Sequence, residues 1–255
     1  MAHPGGSPPP TLIAHRGYPA RYPENSLPGL AAALAAGARW VEFDVQLAAD
    51  RVPVLLHDAA LERTAGRAGD ALALTAAALT TVAVGEVARL GPGHAAATIP
   101  TLAAALALLD ATPGVTAFVE LKEESLARHG VAACLDALAP VLAVARSAWV
   151  LISFDLAAVT AARARGWRCG WVLRATTAAQ RAQATALAPE WLFVSQARLR
   201  TGRGLPWPGP WRWAVYTVDD PRRALALAAR GFGHVETNDI GGLLADPVFL
   251  AARAR

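Results

Sequence analysis

From Thr116 to the C-terminus the chain repeats one pattern. A short apolar run rich in β-branched and aromatic residues is followed by a longer alanine- and leucine-rich segment. Strand-like runs fall at Thr116 to Leu121, Trp149 to Phe154, Arg168 to Leu173, Trp191 to Val194, Trp213 to Val218 and His234 to Glu236. Helices are expected near Ser125 to Ala145, Leu156 to Arg165, Thr177 to Leu187, Pro221 to Arg230 and Ile240 to Ala252, with Gly166 and Gly231 stopping two of them. Gln196 to Pro210, rich in Gly, Pro and Trp, reads as a loop in place of a helix. Alternating strand and helix implies a parallel sheet with helices packed on it.

Upstream the pattern is less regular but continues. Thr11 to Ala14 is a short strand ending at His15. Asn25 or Ser26 can cap the helix that follows, Pro28 suits its first turn and Gly37 ends it. Trp40 to Gln46 alternates Val41, Phe43 and Val45 with Glu42 and Asp44, and Arg51 to Leu56 is a second run beside it. Counting these two runs as one unit gives about eight β/α repeats in 255 residues, the size and rhythm of a (β/α)8 TIM barrel. An open doubly wound sheet would want a Gly-rich phosphate loop after the first strand, and His15-Arg16-Gly17-Tyr18-Pro19 is not one. Residues 59–100, with Gly/Arg/Asp-rich turns and a Gly-Pro-Gly-His loop, read as a small insertion after the second strand. The expected organisation is a Pro/Gly tail at 1–10 and one barrel domain over 11–255.

Composition narrows the classes. The apolar fraction of 54% suffices for a large core. No apolar run reaches the length of a membrane span, and the first ten residues do not resemble a signal peptide. Cys134 and Cys169 lie far apart without metal spacing, as in a reducing compartment, so a cytoplasmic location is expected. The net charge of +4 comes from scattered arginines, which argues against a nucleic-acid groove. Of 24 basic residues, 23 are Arg and one is Lys122. A lone lysine in an arginine-rich chain marks a position where a compact ammonium is wanted.

Reactive groups gather where strands end, which in a barrel is where catalysis sits. The first strand supplies His15 and Arg16, the second unit Glu42, Asp44 and His57, the next Glu120 and Lys122. Glu42 and Asp44 are two residues apart on a strand and so point to one side, and Glu120 and Lys122 repeat that spacing. Three converging carboxylates with no histidine or thiolate among them make a hard oxygen site suited to Mg²⁺ or Ca²⁺, and burying them without a cation would be costly. Arg16 and Lys122 can hold an anion beside it. Two histidines can serve as a general acid and base. Together these fit cleavage of a phosphodiester. Asp58 orients His57 or caps a turn, Glu24 is a loop or capping residue, and Asn25 is either a helix cap or a direct contact.

His15-Arg16-Gly17, Pro23-Glu24-Asn25-Ser26, Glu42-Phe43-Asp44, Leu56-His57-Asp58 and Glu120-Leu121-Lys122 resemble the glycerophosphodiester phosphodiesterase family in order and spacing. Leu61-Glu62-Arg63-Thr64, Ile99-Pro100-Thr101-Leu102 and Val215-Tyr216-Thr217-Val218 extend the resemblance from Leu12 to about Pro247. It implies a divalent cation on Glu42, Asp44 and Glu120. His15 and His57 would be the acid/base pair, and Arg16 and Lys122 phosphate contacts, with Asn25 and Tyr216 also lining the substrate. The glycerol hydroxyl would attack phosphorus and the cyclic phosphate would be hydrolysed, giving glycerol 3-phosphate and an alcohol. Two departures stand out. Gly233-His234 and Thr237-Asn238 replace the family's Asp-Gly and Thr-Asp, which is expected to alter the rim of the last strand. Tyr216 replaces a Trp and keeps an aromatic wall. A lysophospholipase D on the same barrel would need an apolar entrance, which Leu205, Trp207, Trp211 and Trp213 could line, although core and loop packing is the role expected of them. A catalytically inactive binding barrel is the third reading. The head group, the metal and the oligomeric state are left open by the residues.

Overall fold

The computed structural model describes residues 8–200 and 205–254. Of the expected tail, residues 1–7 lie outside them, as do residues 201–204 of the Gln196 to Pro210 segment. The strands are β1 (Thr11–Ala14), β2 (Trp40–Leu47), β3 (Pro53–Leu55), β4 (Thr116–Leu121), β5 (Ala148–Ser153), β6 (Cys169–Leu173), β7 (Trp191–Ser195), β8 (Arg212–Tyr216) and β9 (His234–Thr237). Every neighbouring pair is parallel except β2 with β3, and the sheet closes where Ala14 of β1 pairs with Val41 of β2. Eight parallel strands with helices between them form a closed (β/α)8 barrel.

Period-two alternation sorts the strand residues between two apolar layers. Val41, Phe43 and Val45 of β2, and Ala117, Val119 and Leu121 of β4, pack outward into the layer shared with the helices. Ile13, Phe118, Ile152, Val172, Trp191 and Phe193 fill the barrel interior. This inner plug occupies the lower barrel, and the polar residues lie above it at the C-terminal ends of the strands.

Several local expectations are sharpened. The run at Arg51 to Leu56 contributes only β3, an antiparallel hairpin partner of β2 and not a barrel stave. The helix expected over Ser125 to Ala145 is two, Glu123–His129 and Val131–Ala143, bent by 113° at Gly130, whose φ of 81° suits only glycine well. The last expected helix divides into Ile240–Ala245 and Pro247–Arg253, because Pro247 cannot continue a helix and starts the next one at its first position. Among the described residues no single helix is long and apolar enough to cross a membrane.

Residues 59–100 form short helical turns around an apolar cluster of their own, with Leu61, Leu72, Leu79, Val82 and Ile99 buried against Val54 and Leu56. Two arginines fasten this segment to the barrel mouth. Arg63 makes a bidentate pair with Glu24 at 2.8 Å, and Arg89 donates to the backbone carbonyls of Pro19 and Tyr22.

Candidate active site

The turn after β1 sets the first two polar residues. Arg16 has φ 52° and Gly17 φ 88°, so the chain reverses within two residues of the strand end. A Cβ at Gly17 would lie 2.8 Å from the carbonyl carbon of Gly29, so only glycine permits this approach to the Leu27–Ala35 helix. Ser26, not Asn25, caps that helix by accepting from the Gly29 N–H at 3.1 Å. Asn25 is thereby free for another task. Its Nδ2 donates to Asp44 Oδ2 at 2.9 Å, and its Oδ1 accepts from the Asp44 N–H at 3.0 Å.

Glu42 and Asp44 project inward from β2 and Glu120 from β4, which pairs Asp44 with Glu120 in register. One oxygen from each of these three carboxylates lies within 4.8 Å of the others. Lys122 Nζ pairs with Glu120 Oε1 at 2.8 Å and Asp44 Oδ1 at 3.2 Å. Arg16 approaches from the other side, with its Nε 3.0 Å from Asp44 Oδ2 as an ion pair whose N–H is not aligned to hydrogen-bond. Its backbone N–H donates to Glu42 Oε2 at 3.1 Å, while Glu42 Oε1 is buried without a partner.

The charges are correspondingly displaced. Burial, then Asp44, Glu236 and Glu120, pushes the Glu42 carboxyl well above the usual carboxylate range. Burial and Asp44 also raise Glu120, against Lys122. Burial would raise Asp44 too, but Arg16 and Lys122 outweigh it and hold Asp44 low. Lys122, opposed by burial, is kept charged by Asp44 and Glu120. Two cations thus do not satisfy three clustered carboxylates. The hard oxygen donors and the orphaned Glu42 oxygen fit a divalent cation as the missing charge.

His15 stands beside this cluster with Nε2 3.9 Å from Glu42 Oε2. Its Nδ1 meets Asn238 Oδ1 at 2.9 Å, and Asn238 Nδ2 donates to Asp219 Oδ2 at 3.1 Å. Because Asp219 takes the amide's donor end, the oxygen faces His15 and fixes its proton on Nδ1, leaving Nε2 toward the cluster. Burial, helped by Arg16, lowers the His15 pKa to about 4. His57 Nδ1 lies 2.5 Å from Asp58 Oδ1, and Asp58 is held in turn by Arg63 Nε at 2.5 Å. Gln46 steadies the same loop by donating to the His57 carbonyl at 3.2 Å.

Two cavities meet at His15 and Arg16. One, of about 270 Å³, descends into the barrel past His57, Glu120, Lys122, Tyr216 and Glu236. The other, of about 800 Å³, runs outward between the mouth and residues 59–100, past Glu24, Arg63, Glu86, Asp219 and Asn238. The structure therefore brings His15, Arg16, Glu42, Asp44, His57, Glu120 and Lys122 together, with Tyr216 on the wall. Asn25 lies behind Asp44 and lines neither cavity.

One sequence expectation is corrected and another is borne out. His234 opens β9 at the N-terminal floor of the barrel, where its ring lies 4.6 Å from that of Trp191, so only Thr237-Asn238 reaches the rim. Trp207, Trp211 and Trp213 are buried in the outer core, with the indoles of Trp211 and Trp213 both donating to the Trp207 carbonyl at 3.2 and 3.1 Å. They line neither of these two cavities. Sequence reading missed Asp219 and Glu236, and left the Glu24–Arg63 pair unseen. Asp219 follows a strand end, which is the one signal that pointed to it.

Residues 15–241 match the model of the glycerophosphoryl diester phosphodiesterase family. The chain is 36% identical over 160 residues to the probable glycerophosphodiester phosphodiesterase 1 of Mycobacterium tuberculosis, an alignment covering 59% of this chain and 58% of that protein. A shorter stretch of 57 residues is 49% identical to glycerophosphodiester phosphodiesterase domain-containing protein 4 of Macaca fascicularis, covering 22% of this chain and 9% of that one. The chain thus spans less than two thirds of these relatives' length. Among solved structures, the Oleispira antarctica phosphodiesterase in complex with its product sn-glycerol-3-phosphate superposes with a TM-score of 0.81 at 27% identity, covering 97% of this chain and 98% of that one. The Silicibacter pomeroyi putative glycerophosphoryl diester phosphodiesterase shares the fold at a TM-score of 0.77 and 23% identity, covering 98% and 95%. With its sequence matched over most of its length and the five motifs meeting at one barrel mouth, the chain belongs to the glycerophosphoryl diester phosphodiesterase family.

Proposed function

We propose that the protein hydrolyses glycerophosphodiesters to glycerol 3-phosphate and an alcohol, using a divalent cation, Mg²⁺ or Ca²⁺, held by Glu42, Asp44 and Glu120. The observation that carries this reading is the trio of buried carboxylates with an orphaned oxygen, flanked by Arg16 and Lys122 at the junction of two cavities. When bound, the cation neutralises the carboxylates and polarises the phosphoryl oxygens and the glycerol hydroxyl. Arg16 and Lys122 hold the phosphate. Lys122 pairs with Glu120 and Asp44, and were those carboxylates to hold a cation its ammonium would be free to turn to the substrate anion. Asn25 positions Asp44 and contacts substrate only through it.

His15 and His57 divide the proton transfers. His15, kept neutral with Nε2 open, accepts the proton of the attacking glycerol hydroxyl. His57, backed by Asp58, donates to the leaving alcohol oxygen. In hydrolysis of the cyclic phosphate the two exchange roles. The outer cavity takes the alcohol.

Product identity tests the reading. Glycerophosphocholine is expected to give glycerol 3-phosphate and choline, and phosphocholine as the product would contradict the reading. Faster turnover of lysophosphatidylcholine than of glycerophosphocholine would favour the lysophospholipase D reading instead.

A further inference from the structure

Glu236 is a buried carboxyl that the proposed reaction leaves without a task. On β9, Val235 packs outward while His234 and Glu236 point into the barrel, His234 against Trp191 at the floor and Glu236 one step above it. Glu236 is 3% exposed, lines the inner cavity, and its Oε1 has no hydrogen-bond partner. It falls outside the trio whose oxygens lie within 4.8 Å of one another. A buried acceptor without a donor is costly unless a ligand supplies one.

The substrate has two arms. The alcohol arm varies and must leave, which suits the wide outer cavity. The glycerol arm is constant, and the inner cavity of about 270 Å³, closed below by the aromatic plug, has room for it and its phosphate. Among the described residues lining this cavity, with Lys122 and the apolar Phe154, Val172 and Phe193, Glu236 has a carboxylate oxygen buried without a partner. We propose that Glu236 accepts a hydrogen bond from the terminal hydroxyl of the substrate's glycerol unit, making it the residue that selects glycerol over diols lacking that hydroxyl. This assignment rests on the proposed glycerophosphodiester activity. A site that hydrogen-bonds a substrate hydroxyl rejects the analogue lacking it strongly, because the buried acceptor is then left unpaired.

The test compares glycerophosphocholine with the 2-hydroxypropyl phosphocholine diester, which keeps the hydroxyl next to the phosphate-bearing carbon and lacks the terminal one. Wild-type protein is expected to prefer the glycerol diester about 100-fold in kcat/KM. Glu236→Leu should bring the two within about 3-fold of each other by slowing the glycerol diester alone. If the leucine variant does not melt cooperatively, Glu236→Gln is used, with the preference reduced to about 10-fold. Calorimetry without turnover, comparing sn-glycerol 3-phosphate with 2-hydroxypropyl phosphate, should show the same collapse. An undiminished preference in the variants overturns the assignment, as does loss of Mg²⁺ affinity with the preference intact, which would make Glu236 a cation ligand. A selective loss of choline diesters over glycerophosphoglycerol would make it a cation receptor instead, and also overturns it. If wild-type protein cleaves neither diester, the phosphodiesterase reading fails by itself. The calorimetric arm then decides, and equal binding of the two phosphates overturns the Glu236 assignment.

Discussion

His15 and Asn238, separated by 223 residues in sequence, meet at 2.9 Å beyond the ends of the paired strands β1 and β9. Asp219 grips Asn238 from behind, accepting from its backbone N–H at 2.7 Å and from its amide at 3.1 Å. A neutral acceptor therefore sets the His15 tautomer, where a carboxylate would add charge.

Asn238→Asp puts an anion against His15 Nδ1–H and stabilises the imidazolium, raising its pKa from about 4. The acid limb of the kcat/KM pH profile is expected to move to higher pH in this variant. Asn238→Leu removes the acceptor and should lower kcat by about 10- to 100-fold with a smaller change in KM, as for loss of general-base alignment. A pH–rate series on the three proteins checks both.

Arg63 links residues 59–100 to the barrel through Glu24 and also holds Asp58 behind His57. The pair is partly exposed on the Arg63 side, so Arg63→Ala should cost only about 1 kcal/mol in urea unfolding. The loss in kcat should be larger than that stability change accounts for, because Asp58 is released. Equal loss from Arg63→Lys would show that the fork geometry matters, and recovery by lysine that charge suffices.

His234, at the barrel floor, has its pKa lowered to about 4, mainly by burial. Its folded value lies below the unfolded 6.5, so the unfolded chain takes up a proton first as pH falls. Stability is full above about 6.5 and drains between there and about 4, by about 2 kcal/mol after allowing for partial exposure. His15 adds a loss over the same window. Urea unfolding at pH 7.5 and 4.5 should show His234→Phe losing about 2 kcal/mol less than wild type between the two.

Glu42 has its carboxyl pushed well above the ordinary range by burial and its acidic neighbours. A cation binding there displaces that proton, so Mg²⁺ affinity should rise with pH, and heats measured in buffers of different ionisation enthalpy should report proton release. Glu42→Gln should abolish the proton release together with tight binding.

The barrel and most of the site were legible because both rest on short-range pattern. Alternation on β2 and β4 put Glu42, Asp44 and Glu120 on one side, and strand ends marked His15 and His57. What was not legible depends on partners distant in sequence. Glu24 finds Arg63 from 39 positions away, and Asn25 finds Asp44 only because Ser26 takes the cap. Glu236 hides in a four-residue strand too short to show which way its side chain faces. The placement of His234 at the floor and not the rim needed the register of β9 on β1, where Thr11 pairs with His234 and Ala14 with Thr237.

The cation proposed on Glu42, Asp44 and Glu120 is tested most directly by glycerol 3-phosphate release from glycerophosphocholine by metal-stripped protein. No release is expected in EDTA, full recovery on adding Mg²⁺ or Ca²⁺, and no recovery at any concentration in Glu42→Gln. Release that persists in EDTA, or that Glu42→Gln recovers as wild type does, would contradict it.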